Sequence, residues 1–266
     1  MTNELLMGVL YMSAILINEI KNSIQDRGLV FWMFILPLLF TVLFNAIFSN
    51  EKVGLANHDV SASIVPGYAV MFSFFIMISM VTVFVKDREK GMVARLASTP
   101  LPSYAYLLGK WIPHVAIVMI QTTMLFIFGL MVYNIPFENP MLIGILSIFL
   151  SFTTTGLGLA LAVSVKTENM GLAITQLVGL GGAILSGLWM PIDLMPDIIQ
   201  TISNFTLSLF THYAVALPIG WVPLDLKSIL MSTLLFVIIY SIFWTGYTLY
   251  YKRVESSMNE FLDNKE

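Results

Sequence analysis

Long apolar runs alternate with short polar segments along most of the chain. Runs over 29–49, 64–85, 111–133, 141–165, 170–190 and 229–250 are each close to the ~20 residues that cross a bilayer as a helix. In lipid the backbone must satisfy its own polar groups, so these runs predict six spanning helices. The first carries Pro37 at mid-run and the second opens on Pro66-Gly67. The fifth is rich in glycine, at positions 171, 179, 181, 182 and 187.

Two regions break this rhythm. In residues 1–28 the apolar run 7–17 covers eleven residues, too few to cross. Leu5, Val9, Met12, Leu16, Ile20 and Ile24 follow helical spacing, whereas Asn18, Glu19, Lys21, Asn22 and Gln25 fall off that stripe. This is the pattern of an amphipathic helix lying in the membrane interface. A signal peptide is the lesser reading, since Thr2, Asn3 and Glu4 supply no basic start. Residues 191–228 mix prolines 191, 196, 218 and 223 with Asp193, Asp197 and Asp225. Their apolar pieces, 198–210 and 211–217, are too short to cross and read as re-entrant helices dipping into the outer half of the bilayer.

The remaining polar segments fix the orientation. Residues 86–110 lie between the second and third runs and hold Lys86, Arg88, Lys90, Arg95 and Lys110, five of the thirteen basic residues. With both termini inside, eleven Lys and Arg are cytoplasmic and only Lys52 and Lys227 lie outside. Residues 87–99 predict a short helix along the inner membrane surface, stopped by Pro100 and Pro102. Residues 251–266 form a charged cytoplasmic tail.

Composition confirms the class. The chain of 266 residues is 58% hydrophobic and 11% charged, with mean hydropathy +0.85, against about 25% charged residues in soluble domains. The reading is an all-α integral membrane protein. A net charge of −3 gives nucleic acid no electrostatic footprint. There is no cysteine, hence no disulfide, thiolate metal site or cysteine nucleophile.

Chemistry is sparse. His58, His114 and His212 fall on opposite sides of the predicted bilayer, and their spacing builds no metal site; His114 reads as a helix-end residue. Gly109-Lys110 lacks the upstream glycine of a phosphate loop, so no ATP site is expected on this chain. The six runs contain no Asp, Glu, Lys or Arg, which argues against an ion-coupled carrier and against a membrane-embedded hydrolase. The chain is not expected to be an enzyme or to bind a cofactor. Ser151, Thr154, Thr155 and Gln176 are candidates for a substrate pathway, with helix packing as the simpler reading.

Two signatures taken together resemble a known family. Asp87-Arg-Glu-Lys-Gly91, then Arg95-Leu96, Thr99-Pro100 and Gly109-Lys110, resemble the first cytoplasmic loop of type-2 ABC transporter permeases. Leu185-Ser-Gly187 with Pro191 and Pro196 resembles that family's approach to its outer re-entrant helices. Asp87 stands where the family usually has Glu, Met92 where Thr is common, and Leu209 where a re-entrant proline is usual.

The resemblance implies a permease subunit driven by a separate cytoplasmic ATPase, which would carry the ATP and Mg. Two such ATPases would pair with two permeases, identical or paralogous, in a bacterial plasma membrane. It further implies coupling contacts at Asp87, Arg88, Glu89, Gly91, Arg95, Leu96, Thr99 and Pro100, and an outer gate at Ser186, Gly187, Pro191 and Pro196. The cargo class implied is amphipathic or hydrophobic, as in the drug and antibiotic resistance branch. Lipid-linked glycan export, an ion-coupled carrier and a non-transporting scaffold are the alternatives.

Overall fold

The computed structural model describes residues 2–48, 52–53, 58–92, 95, 103–135, 140–185, 196 and 198. Helix α1 spans Thr2–Gln25, followed by α2 (Arg27–Val30) and α3 (Leu36–Phe48). A short ladder joins β1 (Lys52–Val53) to β2 (His58–Asp59) after the first span. Then come α4 (Val60–Ser73), α5 (Ile76–Glu89), α6 (Ser103–Tyr133), α7 (Pro140–Ser164), α8 (Glu168–Gln176) and α9 (Gly182–Leu185). Apart from the two-residue ladder, every regular element among the described residues is helical.

Four helical stretches are long and apolar enough to cross a membrane: Arg27–Ile47, Ile64–Glu89, Ala105–Tyr133 and Ile143–Ser164. The fifth apolar run is helical from Glu168 to Leu185. The sixth run, the re-entrant region apart from Pro196 and Ile198, and the tail lie outside the described residues.

The second span is the core. Of its most apolar window 67% is buried, against 22–28% in the other three spans. Tyr68, Phe72 and Ile76 form its packed face with Met33 of the first span and Val118 of α6. Aromatic rings zip the first two spans together: Phe40 meets Phe72 edge-on at 5.6 Å and Phe44 meets Tyr68 at 5.7 Å. Such pairs contribute about 0.5–1.5 kcal/mol each beyond area burial.

Three helices depart from α geometry near one level. In the first span Phe31–Ile35 is a π segment, with the Leu36 N–H bonded five residues back to Phe31. It precedes Pro37, whose missing N–H leaves the Met33 carbonyl without its usual donor. The second span tightens at Phe74–Phe75, where N–H groups bond three residues back, Phe74 to Met71 and Phe75 to Phe72. Ser73 Oγ sits 2.6 Å from the Ala69 carbonyl, a back-bond that bends helices. It also lies 3.1 Å from the Gln121 amide. Its single proton goes to Ala69, so the pair is satisfied when Gln121 presents its NH₂ group to the hydroxyl. The fifth helix carries a second π segment, Leu177–Gly181. Trp32 of the first π segment stacks on Phe75 at 5.7 Å, and a Cβ at Gly179 of the other would stand 3.6 Å from Phe74.

Two boundaries differ from the sequence expectation. The helix expected over 87–99 does not start at Asp87: residues 86–89 are the last turn of α5, and Gly91 at φ +65° ends it. The third span does not start at 111, because α6 begins at Ser103 and takes Lys110 inside it. The spanning helices therefore carry charge at their basic ends, and Lys110 is only 6% exposed.

Candidate functional site

Successive helical residues point about 100° apart, and the end of α5 uses this to hold three neighbours. Lys86 reaches Glu168 at the start of α8, 3.1 Å away. Both side chains are substantially exposed, so this pair contributes little, about 0–1 kcal/mol. Arg88 Nη2 donates to the carbonyls of Val165 and Lys166, the latter at 3.2 Å. Those carbonyls follow α7, where the negative end of the helix dipole favours a guanidinium. Thr167 caps α8 by accepting from the Met170 N–H at 3.4 Å.

Asp87 points the third way. Its Oδ2 accepts from the Tyr106 hydroxyl at 2.7 Å and from Lys110 Nζ at 2.5 Å. Lys110 Nζ also lies 3.4 Å from Glu19 Oε2 of α1 and 5.6 Å from the Tyr106 ring centroid. The side chains of Glu19, Lys110 and Asp87 are 4%, 7% and 14% exposed. Two carboxylates thus share one ammonium in a nearly closed site. Burial holds the Glu19 carboxyl above the usual carboxylate range, with the attraction of Lys110 only partly offsetting it.

Gly109 makes this approach fit. A Cβ there would stand 2.8 Å from Ile15 Cγ2 and 3.2 Å from the Met12 carbonyl of α1. The helix α1 meets the protein with Glu19 and Ser23, both buried, while Ile17, Ile20 and Ile24 are 65%, 40% and 71% exposed. The predicted apolar stripe accordingly splits. Ile20 and Ile24 face outward, and Glu19, expected off the apolar stripe, is buried against the protein.

Beyond the α5 terminus the surface opens. Lys90 and Gly91 N–H groups bond back to Lys86 and Arg88, and Arg95 Nη2 donates to the Lys90 carbonyl at 2.8 Å. Glu89, Lys90, Met92 and Arg95 are exposed. Of the eight residues expected to make coupling contacts, Asp87 and Arg88 engage the chain's own helices, Glu89 and Arg95 face outward, and Gly91 forms the joint between them. Leu96, Thr99 and Pro100 lie outside the described residues, as do Ser186, Gly187 and Pro191. Pro196 is exposed.

The hydroxyl candidates are placed as follows. Ser151, Thr154 and Thr155 are buried and bond to carbonyls of their own helix at 2.6–2.9 Å. Trp111 Nε1 donates to Thr155 Oγ1 at 2.9 Å, a bond between α6 and α7. Gln176 is exposed. His114 is fully buried rather than at a helix end, with Nδ1 2.7 Å from the Lys110 carbonyl and Nε2 3.3 Å from Ser79 Oγ. A carbonyl only accepts, so Nδ1 carries the proton. Among the described residues no cluster of metal-ligating side chains occurs.

Sequence reasoning missed Glu19, Tyr106 and Lys110 as a group. A signal was there: Tyr106, Lys110 and His114 recur every four residues and share a face once α6 is taken back to Ser103.

The family model described as ABC-2 type transporter matches residues 11–220. The chain belongs to the ABC-2 type transporter family. It is 28% identical over 199 residues to a protein named transport permease YvfS of Bacillus subtilis, covering 71% of this chain and 77% of that one. It is 26% identical over 157 residues to the linearmycin resistance permease protein LnrN of Bacillus subtilis, covering 59% of this chain and 40% of LnrN. A protein named multidrug ABC transporter permease YbhR, of Escherichia coli, is 24% identical over 149 residues, 55% of this chain and 40% of YbhR. The chain thus spans well under two thirds of the length of LnrN and of YbhR. As an ABC-2 permease with several apolar helices, it is a multi-pass membrane protein.

Proposed function

We propose that this chain is the permease subunit of an ATP-driven exporter of amphipathic or hydrophobic compounds, powered by a separate ATPase. The observation that carries the reading is the end of α5, where Lys86, Asp87 and Arg88 each grip a different element around the buried second span. A push on the segment beyond Gly91 reaches α1, α6, α7 and α8 through three adjacent residues. Glu89, Lys90, Met92 and Arg95 offer the partner an exposed surface of mixed charge, suited to specific docking. Closure of two ATPases against two permeases would then move the second spans and alternate access across the membrane. ATP and Mg belong to the ATPase. The linearmycin-resistance name of LnrN and the multidrug name of YbhR support a drug-like cargo, with lipid-linked glycans as the alternative. The membrane would be a bacterial plasma membrane with both termini cytoplasmic.

The test is reconstitution in lipid nanodiscs with the ATPase that co-purifies from the source cells. ATP hydrolysis stimulated by the permease, and lost with Glu89→Ala/Arg95→Ala, is the expected outcome. Absence of any co-purifying ATPase refutes the reading.

A second reading, an ion-coupled carrier, draws on the buried Glu19–Lys110–Asp87 group. It sits at the span ends, and it predicts gradient-driven transport in proteoliposomes that contain this chain alone.

A further inference from the structure

Gly109 and Lys110 lie between the loop-bearing end of the second span and the N-terminal helix, and they engage both. Gly109 has no side chain where α1 comes nearest: any Cβ would stand 2.8 Å from Ile15 Cγ2, inside the distance that real Cβ contacts reach. One residue on, Lys110 projects into the gap between two carboxylates from separate elements, Glu19 at 3.4 Å and Asp87 at 2.5 Å. The Tyr106 hydroxyl bonds Asp87 at 2.7 Å, which orients that carboxylate toward the ammonium. Phe84 and Tyr106 present ring faces to Nζ at 5.9 and 5.6 Å and exclude solvent from the group. Away from this inner face Ile17, Ile20 and Ile24 of α1 are exposed, whereas Glu19 and Ser23 on it are buried.

We propose that Gly109-Lys110 is the seat of the N-terminal helix, and that Lys110 is a positioning residue locking α1 to the end of the second span so that the two move as one body. The consequence rests on the ABC-permease reading: a displacement of the coupling segment is shared with α1 rather than absorbed by slippage between helices. Removing the ammonium takes away the group that ties Glu19 of α1 to Asp87 of the second span and leaves the buried carboxyls without their counter-charge, so α1 loses its register. Arginine keeps the charge and both partners, so it should preserve the lock in part.

The chain contains no cysteine, so spin labels can be placed without background. We would label Ile17→Cys and Asn169→Cys, both exposed positions, in the full chain in nanodiscs of phosphatidylethanolamine and phosphatidylglycerol. Pulsed-EPR distances would be compared for the parent, Lys110→Met, Lys110→Arg and Lys110→Met/Glu19→Gln/Asp87→Asn. The last variant removes all three charges at similar volume, and it keeps the test alive if Lys110→Met fails to insert. One narrow distance in the parent, a broad or doubled distribution in every neutralised variant that inserts, and recovery in Lys110→Arg support the seat. A distribution as narrow as the parent's in either neutralised variant overturns it.

The second arm uses the co-purified ATPase and reads cargo moved per ATP hydrolysed. The expected result for the neutralised variant is at least a ten-fold fall in that ratio with hydrolysis retained. An unchanged ratio alongside a broadened distance overturns the shared movement. Failure of the parent to engage any ATPase would count against the permease reading alone, because the distance arm decides the seat without it.

Discussion

Gly171 lies where α8 crosses the second span, and it allows a test whose sign follows from two distances. A Cβ built at Gly171 stands 2.1 Å from Val81 Cγ1 and 3.2 Å from Val165 Cγ2, and both valines are fully buried. The first contact falls about 1.4 Å short of the ~3.5 Å at which carbon pairs begin to attract. Val81 is β-branched and packed, so a rotamer change offers no escape. Overfilling a packed site costs ~1–3 kcal/mol. Against this, alanine in a helix gains up to ~1 kcal/mol over glycine. Gly171→Ala should therefore destabilise by about 2 kcal/mol net, the upper part of the range applying because the overlap is large.

The compensating change is Val81→Ala. It deletes Cγ1 and leaves Val81 Cβ 3.5 Å from the new methyl, an ordinary contact. Alone it opens a cavity and costs about 2 kcal/mol. Combined with Gly171→Ala it should return to within about 1 kcal/mol of the parent, a coupling energy near 3 kcal/mol. Graded-SDS unfolding in mixed micelles measures all four proteins on one scale. A neutral Gly171→Ala, or additive losses in the double variant, would refute the close packing of α8 on the second span.

Gly91→Ala meets nothing within 4 Å, so its cost of about 1–2 kcal/mol comes from φ +65° alone; Gly91→Asn should restore export better than Gly91→Val in the reconstituted system. Arg88→Ala frees two carbonyls at the end of α7 and should lower SDS-unfolding stability by about 1.5–3 kcal/mol, with Arg88→Lys intermediate. A Trp111→Phe/Thr155→Val cycle should give a coupling energy of about 0.6 kcal/mol, the usual size for a hydrogen bond between membrane helices. Glu19 keeps its proton to higher pH in the folded protein than in the unfolded chain, because burial raises its pKa. Its contribution is therefore fully present below the ordinary carboxylate pKa and is lost as pH rises through the raised folded value. Lys110 and Asp87 are the charged groups that act on it. Glu19→Gln should flatten that part of the stability–pH curve, as read by the same SDS titration.

The spans were legible because about 20 apolar residues in a row have few alternatives in a bilayer. Their basic ends were not. Hydropathy falls as soon as Lys86, Asp87, Arg88 and Glu89 enter the window, yet the backbone stays helical while Lys86, Asp87 and Arg88 find partners at α8, α6 and the end of α7. Ser103–Lys110 carries too little hydropathy to show as part of the third span, and Pro102 before it starts a helix as readily as it stops one. The two π segments left no mark in the apolar pattern, although Pro37 and the glycines at 179, 181 and 182 were visible beside them. His114 was placed at a helix end by its proline neighbour, and the early start of α6 puts it more than two turns inside.

The orientation of α1 has a physical reason that bears on how the protein works. In water an amphipathic helix turns its apolar stripe toward its own protein, but a helix at a membrane edge has lipid as a second apolar partner. Ile17, Ile20 and Ile24 can be exposed to lipid at no cost, and this leaves the inner face to Glu19 and Ser23. A buried ion pair is weak evidence for stability, since desolvation offsets most of the attraction. What Glu19, Lys110 and Asp87 add is direction: an ammonium between two carboxylates fixes both the rotation and the axial register of α1, which apolar contact alone would let slide. A helix anchored by lipid on one face and by charge on the other must follow the membrane surface and the end of the second span together. That constraint separates a coupling element from a proton relay, because a relay needs its carboxylates to change partners whereas this arrangement depends on their keeping them.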